Sequence, residues 1–423
     1  MVDTETLGHL FGQIGVIFFI MAIGAFMSVS FSTKALDTAV AALADRLRSK
    51  GWLLIIAVMV LFSLLGSTMG FSVETLGFYA LFIPLMTALG YDRMVTSAMI
   101  ILGALVGVMG ATVNPFSIGM AAGEAKVSIG DGLGLRLLLW VLLTAMAIAW
   151  VLRYAAKVRR NPAASLVARE DVTDGAPAQE PAVEHRLTST QKWVLLITAL
   201  AFTLMIFSVI PWSSIFGAHA GPADDTLTHT TVQPYFFELS WWFPQLSMLF
   251  ILACIPVAAV ARIKEKELVR LIGAGAADML GPAMVVLLAG GVSVIMTNTQ
   301  TLDTILHTME SLVTGTSAEV FTVITIGINI PLALLIPSSS GHATLAMPLL
   351  APLADFAGVS RSVTITAWIM AHGLTLMWAP TSVVLVGGLA IAKVSYDKWL
   401  RFVWPLQVGL LVVAAGIVAI AAA

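Results

Sequence analysis

The sequence predicts an all-α polytopic membrane protein with inverted repeats, each containing a re-entrant helical hairpin and a broken transmembrane helix. Three observations predict this fold: an apolar composition, two polar turns that each separate short apolar segments, and a similarity between the two halves. Of 423 residues, 59% are hydrophobic and 11% are charged, whereas soluble domains contain about 25% charged residues. Long apolar runs argue against a β-barrel, whose segments alternate. The net charge of −2 gives no sign of nucleic-acid binding.

The order of apolar and polar segments divides the chain into four parts. They are a first repeat over 1–156, a cytoplasmic linker over 157–191, connecting spans over 192–278 and a second repeat over 279–423. Complete spans are predicted at Leu10–Phe31, Arg136–Tyr154, Trp193–Trp212, Trp241–Ala261, Met279–Met296 and Phe402–Ala422. Amphipathic segments typical of interfacial helices lie at 32–50, 262–278 and 297–318. The linker is rich in proline and charge, which indicates a flexible connection.

The first repeat contains a predicted hairpin over 53–90 and a predicted broken helix over 97–122. Gly66–Gly70 separates two apolar hairpin segments, and each is shorter than the ~20 residues of a spanning helix. The broken helix is interrupted at Gly110–Pro115, because proline removes a backbone donor. Polar backbone at membrane depth is tolerated only inside protein or beside a water-filled cavity. Both interruptions therefore indicate a polar interior.

The second repeat contains a predicted hairpin over 320–357 and a predicted broken helix over 362–392. The hairpin turns at Pro337–His342, which holds three serines, a glycine and a histidine. Interruptions of the broken helix are expected near Met370–Gly373 and Ala379–Ser382. A serine turn that begins a helix presents hydroxyls and unbonded N–H groups. Secondary transporters commonly build a solute site from such elements.

An offset of 264 to 268 residues aligns features of the two halves. Gly77 and Pro84 of the first hairpin align with Gly341 and Pro348 of the second, and a broken helix follows in each half. Predicted cytoplasmic segments hold 19 of the 22 lysines and arginines, in agreement with the positive-inside rule. Arg136 is among the three residues expected outside. The repeats therefore have opposite predicted orientations, an arrangement typical of secondary transporters.

Five motifs in the hairpins and broken helices carry a family resemblance. They are Gly66–Thr75, Val113–Phe116, Ile336–Gly341, Met347–Asp355 and Pro380–Ser382. The chain resembles the YfcC-like branch of the C4-dicarboxylate anaerobic carrier (DcuC) family, within the ion transporter superfamily. The resemblance implies a multi-pass protein of the cytoplasmic membrane, a homodimer with a scaffold and a moving transport domain, and an elevator mechanism. It also implies a small carboxylate-bearing solute, either a C4-dicarboxylate or a basic amino acid.

The residues at the interruptions are the candidate ligands of a solute or an ion. They are Ser67, Thr68, Glu74, Thr112, Asn114, Ser338, Ser339, Ser340, Gly341, His342, His372, Thr381 and Ser382. Asn114 both donates and accepts hydrogen bonds, as the hydroxyls do. A sodium ion near Asn114 and Ser339 is one predicted occupant, and the alternative is that these side chains only cap helix starts. No motif for a transition-metal site occurs, and no cofactor is expected.

Three ionisable candidates differ in their expected roles. Glu74 lies close to the first turn, and an acid in a membrane is a functional suspect because burial of its charge is costly. It would carry a proton, help bind a cation or face a substrate amino group, unless it pairs structurally. His342 and His372 titrate near neutrality and are candidates for proton coupling, with a packing role as the alternative. The sequence leaves coupling to sodium or to protons open.

Three classes of function are compatible with polar hairpin turns. A secondary transporter, either a symporter or an antiporter, fits the inverted repeats and is favoured. An intramembrane enzyme would need a convergent catalytic set, and Ser340 with His342 is the nearest approach to one. A channel would show symmetric pore helices and a filter. No intramembrane arginine is evident to clamp a second carboxylate, which disfavours a dicarboxylate, whereas Glu74 favours a solute with an amino group.

Overall fold

The chain is helical in this computed structural model. The structure describes residues 4–47, 50–167, 186–210, 212, 235–239, 241–281, 283–284, 299 and 316–423. The helices are α1 (Thr4–Ser32), α2 (Ala35–Arg46), α3 (Gly51–Met69), α4 (Tyr79–Ala88), α5 (Arg93–Met109), α6 (Met120–Ala125), α7 (Leu133–Arg160), α8 (Ser189–Val209), α9 (Phe243–Ala261), α10 (Glu265–Asp278), α11 (Ala318–Leu335), α12 (Ser339–Phe356), α13 (Arg361–Leu376), α14 (Val383–Ala392) and α15 (Tyr396–Ala422). Within the described residues, α1, α3, α7, α8, α9, α11 and α15 are the seven helices long and apolar enough to cross a bilayer.

Local sequence explains where the first repeat is interrupted. α3 ends at Met69 because Gly70 takes a left-handed conformation with φ of +71°, which glycine adopts at little cost. A short helical turn over Val73–Phe78 leads into α4. α5 ends at Met109, and the helix resumes at Pro115. The missing N–H of proline is harmless at a helix start, so Pro115 can begin the helical segment that follows the loop.

The second repeat is interrupted at corresponding places. α11 ends at Leu335, and Ser338 caps α12 by accepting a hydrogen bond from the Gly341 N–H. α13 ends at Leu376, and Ser382 caps α14. The helical membrane fold expected from the sequence is therefore confirmed. The re-entrant character of the hairpins and the inversion of the repeats stay predictions.

Two expectations about helix length are wrong. α3 and α11 contain 19 and 18 residues, so each is long enough and apolar enough to cross a bilayer. Shortness is therefore not what would make these arms re-entrant. α7 continues to Arg160, beyond the expected end at Tyr154, because the alanines and basic residues that follow Tyr154 are good helix formers. The predicted span Met279–Met296 and the segment 297–318 lie mostly outside the described residues.

One expectation about an interruption is also wrong. α13 runs unbroken through His372, so the break expected at Met370–Gly373 does not occur, whereas the later one near Ser382 does. Gly373 is accommodated inside the helix because it packs directly against Met109 of α5, where a Cβ would lie 2.3 Å from the Met109 Cα. This glycine therefore marks a close helix crossing.

The described helices pack as two bundles. The α1 bundle contains α1, α2, α8, α9 and α10, and the hairpin bundle contains α3–α7 and α11–α15. Contacts between aromatic rings hold the α1 bundle, and they join Phe26 of α1 to Phe202 of α8 and to Phe250 of α9. The main contacts between the bundles join α1 to α6 and to the Pro115–Gly119 turn, and α2 to α3.

Within the hairpin bundle, helices from the two halves of the chain form equivalent pairs. α3 packs on α5 as α11 packs on α13, and α6 packs on α12 as α14 packs on α4. Helix caps recur at a constant spacing: Asp92 caps α5, and Ser360, 268 residues later, caps α13. Asn114 and Ser382 are likewise 268 residues apart. These correspondences support the predicted relation between the halves.

Candidate functional site

A buried pair of hydroxyls fixes the first interruption. The side chains of Ser67 and Thr112 are 1% and 4% exposed. The Ser67 Oγ donates to the Gly110 carbonyl at 2.9 Å and lies 3.0 Å from the Thr112 Oγ1. The Thr112 N–H in turn donates to the Ser67 carbonyl at 3.0 Å. These bonds attach the end of α3 to the loop that follows α5.

Asn114 organises the helix start that follows this loop. Its Oδ1 accepts a hydrogen bond from the Phe116 N–H at 3.0 Å, and the residue is 1% exposed. The amide also lies against Gly70, where a Cβ would be 2.9 Å from the Asn114 Oδ1. A side chain at position 70 would therefore displace the cap. The capping role that the sequence left as an alternative is present, and a binding role for Asn114 stays a prediction.

A buried arginine, Arg136, lies beside the same interruption. The residue lies in the first turn of α7 and is 1% exposed. Its Nε donates to the Thr112 carbonyl at 2.9 Å, its Nη1 to the Asp131 carbonyl at 2.8 Å and its Nη2 to the Ile129 carbonyl at 2.6 Å. The guanidinium thus holds the loop and adds a full positive charge beside the helix start at Pro115.

A half-buried acid on α6 is a second residue that sequence reasoning misses. The Oε1 of Glu124 is buried, and it has no hydrogen-bond partner among the described residues. Its signal is of the same kind as that of Arg136: a charged residue within or beside an apolar run is a functional suspect. Applying that rule to the whole chain, rather than only near the turns, finds both.

The serine turn of the second hairpin lies next to the first broken helix. The Ser339 Oγ donates to the Phe116 carbonyl at 3.5 Å. Ser338 is exposed and Ser340 is buried, and their hydroxyl oxygens are 3.1 Å apart. Two helix starts, those of α12 and of the Pro115–Gly119 turn, are therefore neighbours, although they come from different halves of the chain.

Thr381 makes a bond in the second repeat that corresponds to one in the first. Its hydroxyl donates to the Leu334 carbonyl at 2.8 Å, as the Thr112 hydroxyl donates to the Ser67 carbonyl at 3.3 Å. In each repeat, the loop of the broken helix is thereby attached to the end of the first hairpin arm. Ser382 caps α14 beside this bond.

The two histidine candidates form a buried pair. The Nδ1 atoms of His342 and His372 are 3.0 Å apart, and the residues are 1% and 0% exposed. The His342 Nε2 lies 3.0 Å from the Asn329 Oδ1, and the Asn329 Nδ2 donates to the Thr325 carbonyl at 2.7 Å. The Trp368 ring stacks on His372 with centroids 5.8 Å apart. The pair therefore joins α11, α12 and α13.

Two candidates lie away from these contacts. Thr68 lines a cavity of about 460 Å³ between α2, α3 and α8, and its hydroxyl donates to the Leu64 carbonyl at 2.8 Å. Glu74 is exposed, and its carboxylate accepts a hydrogen bond from the Ser72 N–H at 3.0 Å. The acid therefore stabilises the first turn. Its role in binding stays a prediction, as does that of Thr68.

Comparison with known proteins gives these residues a context. The family described as the C4-dicarboxylate anaerobic carrier, DcuC, matches residues 6–423. The chain belongs to this family. A putative basic amino acid antiporter of Escherichia coli, YfcC, is 29% identical over 424 residues, which are 99% of this chain and 79% of the relative. An uncharacterised protein of Haemophilus influenzae is 29% identical over 396 residues, which are 93% of this chain and 72% of the relative.

Solved structures with a similar fold are transport proteins. The YdaH transporter of Alcanivorax borkumensis, described as having an unusual topology, gives a TM-score of 0.70 at 16% identity over 99% of this chain and 87% of its own. MtrF of Neisseria gonorrhoeae, described with a class of antimetabolite efflux pumps, gives 0.64 at 14% identity over 99% of this chain and 83% of its own. At these identities the likeness shows the fold. With its family and its apolar helices, the chain is a multi-pass transporter of the inner membrane.

Proposed function

We propose that the chain is a secondary active transporter, a symporter or an antiporter, for a small carboxylate-bearing solute. The observation that carries this proposal is the contact between the serine turn and the first broken helix, made by Ser339 and the Phe116 carbonyl. Helix starts carry partial positive charge and unbonded N–H groups, so they attract carboxylates. The buried charge of Arg136 acts in the same direction. A solute carboxylate would lie between the two helix starts.

Two solute classes fit this arrangement. The family description points to a C4-dicarboxylate, and the name of the Escherichia coli relative points to a basic amino acid. Arg136 weakens the argument against a dicarboxylate, yet its Nε, Nη1 and Nη2 already donate to three carbonyls. Glu74, exposed at the first turn, would meet the amino group of an amino acid. Both classes therefore belong to the proposal.

We propose an elevator motion in a homodimer, with the α1 bundle as scaffold and the hairpin bundle as the moving body. The cavity of about 460 Å³ that Thr68 lines lies between the two bundles, and most of its lining is apolar. Apolar surfaces have no directional bonds to break when they slide. Sodium, held near Asn114 and Ser339, or a proton would be the coupling ion.

Exchange in liposomes tests the proposal. Purified protein should exchange labelled lysine, arginine, succinate or fumarate with saturation. Asn114→Ala and Ser339→Ala should each lower the exchange rate about tenfold or more, since a hydrogen bond to a charged group contributes about 1.5–3 kcal/mol. Thr87→Ala is the matched control, because the Thr87 side chain is exposed and its hydroxyl bonds to the Ile83 carbonyl of its own helix. If both site variants exchange at the parent rate, the site is wrong.

The competing classes give different outcomes in the same assay. Flux that never saturates would indicate a channel, and a chemically altered solute would indicate an enzyme. A thermal-shift screen against the same four solutes, with and without sodium, can first show which of them bind. A ligand of the folded state raises the unfolding temperature.

A further inference from the structure

The hydrogen bonds around the histidine pair fix where its hydrogens lie when both rings are neutral. The Thr325 carbonyl can only accept, so the Asn329 atom that contacts it is the amide nitrogen and the Asn329 Oδ1 faces His342. The His342 Nε2 must then carry a hydrogen. Because a neutral imidazole has one N–H, the His342 Nδ1 is an acceptor and the His372 Nδ1 carries the hydrogen between the rings.

This assignment leaves one bare ring nitrogen. The Nε2 of His372 is buried and has no hydrogen-bond partner among the described residues. A proton added there forms an N–H bond with the lone pair and breaks no existing hydrogen bond. A second proton could bind only at the His342 Nδ1, which would place two N–H groups head to head across 3.0 Å. The pair therefore has room for a single proton.

We propose that His342 and His372 together bind one proton, which comes from the aqueous phase and is held at the Nε2 of His372, and that this proton is the coupling ion of transport. The inference rests on the proposed transport function. Helix position agrees with the site: His372 lies one turn before the end of α13, where a cation is favoured, whereas His342 lies in the first turn of α12, where it is not.

Among the described residues, the ring nitrogens of the pair contact each other and Asn329, and no carboxylate hydrogen-bonds to either ring. The titratable residues on the packed helices are Arg93 on α5, Glu124 on α6, Glu319 on α11, Asp355 on α12, Arg361 on α13, and Tyr396, Asp397, Lys398 and Arg401 on α15. Glu319 and Arg361 lie at helix starts, about 15 Å along the axis from Asn329 and His372. Glu124 lies on α6, which packs on α12.

A buried charge without a partner is costly, so the proton needs an anion. The serine turn directly precedes His342 in the chain, and the proposed carboxylate would lie there. The solute and the proton therefore stabilise each other, and each raises the affinity of the site for the other. This reciprocity is what couples their movement.

Accumulation driven by a pH difference tests the proton site. The full chain is reconstituted in liposomes, with the membrane potential clamped at zero and labelled lysine or succinate as probe. One proton per solute predicts about tenfold accumulation for each pH unit, and two protons predict about a hundredfold. His372→Asn keeps an amide donor for the His342 Nδ1 and removes the bare nitrogen. It should exchange solute more slowly at equal pH, because the solute loses the proton that stabilises it, and it should lose accumulation. Trp368→Phe, which keeps the stacked ring, should retain both.

The outcomes separate the two proposals. If the parent exchanges neither probe, the proposed function fails for these solutes. If it exchanges them but does not respond to pH, responds with the two-proton ratio, or keeps its response in His372→Asn, the proton site is overturned.

A measurement without transport decides the tautomers. NMR spectroscopy of the full chain labelled with ¹⁵N-histidine should show the hydrogen of His342 on Nε2 and that of His372 on Nδ1. The variants His342→Gln and His372→Asn assign the signals to the two residues. Acidification should protonate the His372 Nε2 while His342 stays neutral. The opposite tautomers, or protonation of both rings or of neither before unfolding, would overturn the assignment.

Discussion

Arg136 shows how one side chain can stabilise the loop of an interrupted helix. Loop carbonyls at membrane depth need donors from the protein, and the guanidinium supplies three in a fixed planar geometry. Its acceptors are the carbonyls of Thr112, Ile129 and Asp131. The arginine therefore joins the loop of the broken helix to the loop before α7, and its charge is stabilised by carbonyl dipoles.

Replacing Arg136 should destabilise the fold and not only the site. Arg136→Gln leaves at least one of the three carbonyls without a donor, because the glutamine amide has only two N–H groups, and each unsatisfied buried group costs about 1–3 kcal/mol. We expect a clear drop in the unfolding temperature of the purified protein in detergent. Arg136→Lys should restore part of it, because an ammonium group also donates but cannot reach all three carbonyls. A variant Arg136→Gln as stable as the parent would contradict this account.

Local chemistry decides which site residues the sequence can reveal. Asn114, Ser338 and Ser382 lie at helix starts, and they are predictable because a cap bonds to a backbone N–H two or three residues away. Arg136 bonds to a carbonyl 24 residues away, and His342 contacts His372 across 30 residues. No short-range pattern encodes such contacts. The pairing of the histidines therefore appears only once α12 and α13 are packed together.

At the scale of elements, a glycine can act through its own backbone conformation or through a contact with another helix. Gly70 ends α3 through its own backbone conformation, so the first turn is predictable from a glycine-rich run. Gly373 lies inside α13 and serves a contact with α5, so the break expected around it is wrong. The interruptions predicted near Pro115 and Ser382 are present in the structure. Proline and serine produce them through the backbone groups of residues close to them in the sequence. Composition alone cannot distinguish a glycine that ends a helix from one that packs it.

The crossing of α5 and α13 gives a prediction about stability. A Cβ at Gly373 would lie 2.3 Å from the Met109 Cα, and backbone cannot move aside as a flexible side chain can. Gly373→Ala should therefore lower the free energy of unfolding by about 1–3 kcal/mol, as overpacking does. Gly327→Ala is the matched control in a helix, because a Cβ there would meet nothing within 4 Å. It should be neutral or stabilising by about 0.5–1 kcal/mol.

Thermal or denaturant unfolding in detergent compares the two alanine variants directly. Equal stability of Gly373→Ala and Gly327→Ala would mean that the α5–α13 crossing is looser than the structure has it. A fall confined to Gly373→Ala would explain why the glycine stands in the middle of an otherwise regular helix.

At the scale of the whole molecule, the two bundles differ in how they are held together. The hairpin bundle contains the polar interruptions, with Ser67, Thr112 and Arg136 bonded across its elements. The α1 bundle is joined by phenylalanine rings. Polar bonds therefore connect the interruptions within the hairpin bundle. The boundary between the two bundles instead borders a mostly apolar cavity. This division is compatible with the proposed elevator motion, in which the hairpin bundle would move as a unit.

Cross-linking the bundles tests whether they move against each other. A Cβ at Gly123 of α6 would lie 2.7 Å from the Val16 Cγ2 of α1. Val16→Cys with Gly123→Cys, in a Cys254→Ala background, should therefore form a disulfide that joins the bundles. An elevator needs this contact to slide, so oxidation should stop solute exchange in liposomes and reduction should restore it. The disulfide would lock one conformation, so it would lower the rate of solute exchange while the protein stays folded.

The matched control is a cross-link inside the α1 bundle. A Cβ at Gly15 would lie 3.6 Å from the Phe243 Cβ, within the roughly 3.5–4.5 Å range of disulfides. Gly15→Cys with Phe243→Cys should exchange solute at one rate whether oxidised or reduced, because α1 and α9 move together. If the oxidised Val16→Cys and Gly123→Cys protein also exchanges at its reduced rate, the bundles do not slide at this contact. The carboxylate would then reach the serine turn through opening of the second hairpin, with the two bundles fixed.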